Sequence, residues 1–267
     1  MAIGLGVGAL VVFERLRPLR ARKEEQPEHV GRNLAIGLLA AATTAACELP
    51  IVAPAQRLAE RRGLGLLRWL RLPQALRVIL GFLLLDYTLY LWHWLNHRSP
   101  WLWRFHAVHH LDRDLDSSTG IRFHFGELAL AAGFRAAQAL LLGVDRDTFR
   151  LYQQVLFLSV LFHHSNLALP IDTERDLAVF LVTPRLHGIH HSTRAAETNS
   201  NYSSLLSWWD QLHRTLRLNV PQRGIEIGVN GFTRPEDVTL ERSLALPFER
   251  DPRLALPAAA APPHTSA

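Results

Sequence analysis

Residues 34 to 55 read LAIGLLAAATTAACELPIVAPA, an apolar stretch long enough to cross a bilayer, and no other feature narrows the choice of fold as much. A spanning helix needs about 20 apolar residues, because backbone in hydrocarbon must satisfy its own hydrogen bonds. Four further apolar runs accompany it: MAIGLGVGALVVF at the start, VILGFLLLDYTLYLW at 78–92, LALAAGFRAAQALLLG at 128–143 and LYQQVLFLSVLFHHSNLALP at 151–170. The runs at 78–92 and 151–170 reach spanning length only with their aromatic and polar ends, and the first and fourth are short. The pattern predicts an all-α integral membrane bundle of about four to five membrane-embedded helices, with a soluble all-helical protein as the alternative. The first run has no basic segment before it and ERLRPLRARK after it, so it reads as a retained first span rather than a signal peptide.

The net charge of +5 comes from arginines beside the apolar runs: Arg15, Arg17, Arg20 and Arg22, then Arg57, Arg61, Arg62 and Arg68. That placement suits anionic lipid headgroups better than nucleic acid, for which no binding motif is present. A single cysteine, Cys47, excludes an intrachain disulfide, Cys-ligated zinc and an iron–sulfur cluster. Any bound metal must use histidine, carboxylate or water. Three regions are expected: amino-terminal membrane anchors and basic loops at 1–77, a histidine-rich domain at 78–218, and a carboxy-terminal extension at 219–267. The charged stretch 14–32 reads as a loop, 57–77 as an amphipathic segment in the interface, and the Pro/Ala-rich end from about 247 as a disordered tail.

The histidines carry the chemistry. The chain has 14 of them, and HAVHH at 106–110 is repeated as HGIHH at 187–191. A shuffled chain of this composition would show one HxxHH about 0.04 times, so composition bias does not explain two. Residues three and four apart share a helix face, so His106 projects with His109 and His110, and His187 with His190 and His191. Asp86, Tyr90, His93 and His97 follow one another at steps of four, three and four along another helical face. His124 in RFHFGE and His164 in HHSN stand at either end of the runs at 128–143 and 151–164, which read as a hairpin turning near Gly143-Val144-Asp145. A hairpin returns to the face it left, so both histidine groups should meet on one side. These ten imidazoles are more than one metal needs, and they suit two. Spacing leaves iron, zinc, copper and nickel open. Asp86 and Glu127 are candidates to orient imidazoles from behind. His29, His213 and His264 read as structural, and His163 stays open. The tryptophans Trp92, Trp94, Trp101, Trp103, Trp208 and Trp209 read as an interfacial belt.

DYTLYLWHWLNH, WRFHAVHH, RFHFGE, HHSN, VTPRLHGIHHS and NSNYSSLLSWWDQL, in that order over about residues 80–216, resemble the fatty acid hydroxylase superfamily, which includes the sterol desaturases. The resemblance implies an integral membrane oxidoreductase with a cytosolic histidine-rich cap. There a non-haem di-iron centre would use O2 and electrons from a separate donor, a ferredoxin, cytochrome or reductase, to hydroxylate or desaturate a lipid C–H bond. On the family's pattern His93, His97, His106, His109, His110, His124, His164, His187, His190 and His191 would hold metal, and Asp86, Tyr90, Glu127 and Asn199 are the catalytic candidates beside them. Trp94 replaces the usual arginine, Phe125 the usual proline after His124, and QLHRT the usual residues after Trp209-Asp210; none of these removes a ligand. An Ala-, Leu- and Arg-rich composition points to a bacterial genome and so to an inner membrane, and the basic loop at 14–32 argues that the site faces the cytoplasm. The competing functions are a histidine-rich metal transporter or storage protein and a zinc hydrolase. The first would place ligands inside the spans rather than at their ends, and the second would need a general-base carboxylate beside a three-histidine site.

Overall fold

The computed structural model describes residues 2–257, so His264 and the end of the Pro/Ala-rich tail lie outside it. It is helical, and among the described residues the only β pairing is three isolated bridges, Pro18 with Leu167, Leu181 with Leu206 and Ser192 with Ile227. Helix α1 covers Ala2–Leu16 and α2 Gln26–Thr43; α2 runs through a π-helical turn at Thr44–Glu48 into α3, Leu49–Arg62. A short α4, Leu66–Trp69, leads to α5, Gln74–Asn96. Helix α6 is Pro100–His110, α7 Phe125–Leu142, α8 Arg146–His164 and α9 Ile171–Ala178. The cap holds α10, Pro184–His190, then α11, Ala195–Thr198, α12, Trp208–Leu212, and α13, Leu240–Ala245.

Three of these segments, Gln26–Cys47, Gln74–Asn96 and Phe125–Leu142, are long and apolar enough to cross a membrane. The chain is therefore an all-α membrane protein, with three spans of sufficient length where four to five embedded helices were expected. Helix α8 opens on RDTFR, which lowers its apolar content, and α1 has 15 residues. The charged loop expected at 14–32 contracts to the residues between α1 and α2. The segment expected to lie in the interface is divided between the end of α3, α4 and the start of α5.

The hairpin turn forms where the sequence placed it. Gly143 takes the left-handed conformation that ends α7, and Asp145 caps α8, accepting the Thr148 amide at 2.9 Å. Gly65, also at positive φ, sits so close to the Gly143 backbone that a Cβ would overlap it. Arg146 pairs with Glu60 at the same end. Val52, Leu85, Leu142, Phe149, Tyr152 and Leu156 form the buried core of this half. At the opposite end the face of α6 carrying Trp103, Ala107 and Leu111 is covered by Val229, Phe232, Val238, Leu246 and Leu254. The tail expected to be disordered from about 247 thus begins with folded residues: Leu246–Phe248 and Pro252–Leu254 are 3-10 turns.

Candidate metal centre

The two HxxHH helices start alike. Ser99-Pro100 opens α6 and Thr183-Pro184 opens α10; in each the hydroxyl accepts a first-turn amide and the proline occupies a position whose N–H would have no partner. The hairpin then brings the end of α8 alongside α10, while α5 delivers His93 and His97. Nine buried histidines converge into two groups. His93, His97, His106, His110 and His190 form one; His109, His164, His187 and His191 form the other. Within each group the ligating atoms lie within 4.8 Å of one another. Each HxxHH motif is split, giving its i, i+4 pair to one group and its middle histidine to the other. The groups are adjacent, with the rings of His110 and His191 stacked at 4.2 Å.

Hydrogen bonds to the backbone determine the tautomers. A carbonyl oxygen only accepts, so a ring nitrogen against one must carry the proton. His93 Nδ1 donates to Tyr202 O at 2.6 Å and His190 Nδ1 to Ser200 O at 2.7 Å. Their Nε2 atoms therefore hold bare lone pairs, yet face each other at 3.0 Å. The second group repeats this. His164 Nδ1 donates to Val160 O and His109 Nδ1 to Arg122 O, while the two Nε2 atoms lie 3.0 Å apart. Two lone pairs at that separation repel unless a cation lies between them. His97 and His110 have neither nitrogen paired, and His187 and His191 leave Nδ1 unpaired, all buried. Burial, then repulsion from neighbouring rings, holds His97, His109, His110, His187 and His191 well below the usual imidazole pKa, in the neutral form that binds metal. The donor set fits two cations of the imidazole-binding class.

Several sequence-predicted residues have other positions. His124 is not in either group: it caps α7, accepting the Gly126 amide on Nδ1 at 2.9 Å and donating from Nε2 to Leu244 O. Both of its nitrogens are taken by backbone. Asp86 lies about 10 Å along α5 from His93, by helical rise, and orients no imidazole. It accepts from Trp209 Nε1, Leu206 N and Tyr152 OH. Tyr90 bonds Thr215 and stacks on His213. Asn199 accepts from Tyr202 OH and donates to Pro257 O. Glu127 does bond an imidazole, accepting a hydrogen bond from His106 Nδ1–H at 2.9 Å. His163 packs on His187 at 4.1 Å but stands outside both groups. Trp103 and Trp209 are not belt residues: Trp103 is buried 4.9 Å from His97, and Trp209 donates to Asp86.

The sequence reading missed a buried polar network behind the first motif. Asp112 accepts from His29 Nε2 at 2.7 Å, Asn33 Nδ2 at 2.8 Å and Thr119 Oγ1 at 2.7 Å. Arg122 donates to Val108 O, Asn33 Oδ1 and Ser243 Oγ, and its own carbonyl receives His109. Burial of the Asp112 carboxylate opposes its charge, but attraction to His29 prevails and holds its pKa well below the ordinary range. The one available signal was the density of acids and hydroxyls in LDRDLDSSTG, which reads equally well as a solvated loop.

A family model described as fatty acid hydroxylase matches residues 78–215. Among curated proteins the chain is 34% identical over 185 residues to an ornithine lipid hydroxylase of Rhizobium tropici, covering 68% of this chain and 53% of that protein. It is 30% identical over 175 residues to the cholesterol 25-hydroxylase of Homo sapiens, covering 59% and 62%. It is 28% identical over 156 residues to an alkylglycerol monooxygenase of Xenopus tropicalis, covering 58% and 33%. The chain thus spans about half the length of the first of these relatives. No solved structure matches it.

Proposed function

Because the chain belongs to the fatty acid hydroxylase family, we propose that it is a membrane-bound oxidoreductase that hydroxylates a lipid C–H bond at two iron ions held by the nine converging imidazoles. One atom of O2 enters the C–H bond and the other leaves as water, with two electrons and two protons from an external donor. The relatives' names, hydroxylase and monooxygenase, favour hydroxylation over desaturation. The observation that carries the reading is the facing pair of Nε2 lone pairs in each group, His93 with His190 and His109 with His164. Iron, when bound, would supply the oxidising power for an unactivated C–H bond, which no side chain possesses.

The protein's own part is legible in its geometry. Carbonyls of Ser200, Tyr202, Val160 and Arg122 hold four Nδ1 protons, so each Nε2 is aimed inward before metal arrives. Burial of all nine rings excludes bulk water from the reacting atoms. The site lies at one end of the candidate spans, where a chain drawn from the bilayer could enter. A separate ferredoxin, cytochrome or reductase provides the electrons. The arginines between α1 and α2 support a cytoplasmic orientation in a bacterial inner membrane.

The test is metal analysis of detergent-purified protein prepared anaerobically, counting iron and zinc, beside an H109A/H110A variant that removes one ligand from each group. About two irons per chain, depleted in the variant, together with O2- and reductant-dependent incorporation of 18O into added lipid, is the expected result. One metal or none, unchanged in the variant, overturns the di-metal site.

A further inference from the structure

Helix α1 leans on α8, whereas α2 packs against α7 and the 3-10 turn at Ser117–Ile121. Between α1 and α2 a groove of about 530 Å³ is left open, and its two charged lining residues are both arginines, Arg15 and Arg22. Arg22 Nη2 and Gln26 Nε2 are buried donors without a hydrogen-bond partner. The amino terminus of α2 carries Glu25 at its N-cap and Glu28 in its first turn, neither of which lines the groove, so the positive charge there comes from the two arginines. The nearby Glu24 is paired with Arg32 at 2.7 Å and does not line the groove. An oxyanion in the groove would meet Arg15, Arg22 and the Gln26 side chain, which all line it.

The rest of the groove distinguishes a lipid from a free anion. Val30 and Leu34 line it one helical turn apart, and Leu38 continues the stripe one turn further, 72% exposed, within the candidate span Gln26–Cys47. Cationic donors at the membrane end and an apolar track running into the bilayer match a headgroup phosphate and its acyl chain. The adjoining loop lies on the histidine face, because Arg20 donates to Pro184 O at the start of α10. We propose that this groove is a binding site for an anionic glycerophospholipid, with its phosphate held by Arg15, Arg22 and Gln26 and an acyl chain along Val30, Leu34 and Leu38. The inference needs neither iron nor oxygenase activity.

Native mass spectrometry of the purified chain in neutral detergent, titrated with dioleoyl phosphatidylglycerol or dioleoyl phosphatidylcholine, tests it. The wild type is expected to retain one phosphatidylglycerol in preference to phosphatidylcholine. R15Q/R22Q should bind it roughly thirtyfold more weakly, at about a lipid-attraction increment per arginine. R57Q/R61Q, on exposed α3 positions, should bind it as the wild type does. Gly31 lines the groove, and a Cβ there meets nothing within 4 Å, so G31L fills the groove without touching the arginines and should also lose the lipid. This variant decides the matter if the double variant does not fold. Equal affinity for the two lipids, equal loss in R57Q/R61Q, full binding by G31L, or displacement by glycerol phosphate at the lipid's own concentration would each overturn the proposal.

Discussion

Glu127 shows how much rests on a single atom. Its carboxylate accepts a hydrogen bond from His106 Nδ1–H at 2.9 Å and so presents Nε2 to the first group. E127A leaves that proton unpaired and the ring free to turn, and loss of such an outer partner weakens metal binding by about 10- to 100-fold. Iron retention against a graded chelator should fall by that order, with E127Q recovering part of it through its amide oxygen. Retention equal to wild type in E127A would remove Glu127 from the site. The depressed imidazole pKa values also set a sign. In metal-free protein His97, His109, His110, His187 and His191 are neutral when folded but protonate near pH 6.5 when unfolded. Below that pH the unfolded chain binds more protons, so stability rises with pH through this window and is lost on acidification. Melting temperatures of chelated protein should drop between pH 7 and pH 5; a flat profile would contradict neutral burial of these rings.

At the scale of elements, α10 is positioned by a contact its own sequence does not reveal. Arg20, buried, donates to Pro184 O and Gln222 Oε1 and lies flat over Gly188, where a Cβ would overlap its guanidinium. Gly188 is thus required by close approach rather than by helix flexibility. G188A should displace Arg20 and destabilise the fold by about 1–3 kcal/mol, read in denaturant titration, with loss of metal from the His187, His190 and His191 set. An unaffected midpoint would show that Arg20 can move aside. Helix α5 depends likewise on Asp86, which gathers Trp209, Leu206 and Tyr152 from two other segments. D86A strands three donors in the interior, each worth about 1–3 kcal/mol. It should unfold the cap's contact with α5 more readily than it alters metal affinity measured on the folded fraction.

For the whole molecule, the spans act as rails that bring distant chain segments to one face. The α7–α8 hairpin ends beside Glu60 at one end, and the imidazoles from residues 93 to 191 gather at the other. In a C47A background, a membrane-impermeant thiol reagent should label Arg194→Cys, next to the second motif, only in inverted vesicles. Asp147→Cys at the hairpin tip should label only in right-side-out ones. Labelling of both from one side would overturn the crossing pattern. Metal bound as proposed should also couple the halves: the converging imidazoles come from α5, α6, α8 and α10 or the residue after them, so chelation would leave lone pairs facing one another. Anaerobic chelation is expected to lower the melting temperature by about 2–8 °C, the shift for one to two kcal/mol in a chain of this size.

The sequence by itself determined the helical class, the hairpin with its Gly143-Val144-Asp145 turn, and, among the ten histidines it singled out, the nine that come together. These are local properties: apolar length, cap chemistry and the three- and four-residue spacing of a helix face all act within one turn or one span. Only the tertiary structure decided how the nine divide into five and four, because that depends on the angle at which α6 and α10 meet. It also moved His124 from the ligand set to a helix cap, turned Asp86 from an imidazole partner into a tie between segments, and placed Trp103 inside. The network of His29, Asn33, Asp112 and Arg122 joins residues up to 89 positions apart. Nothing in the spacing of such residues records their proximity, since burial and pairing of polar groups are properties of the folded surface that encloses them.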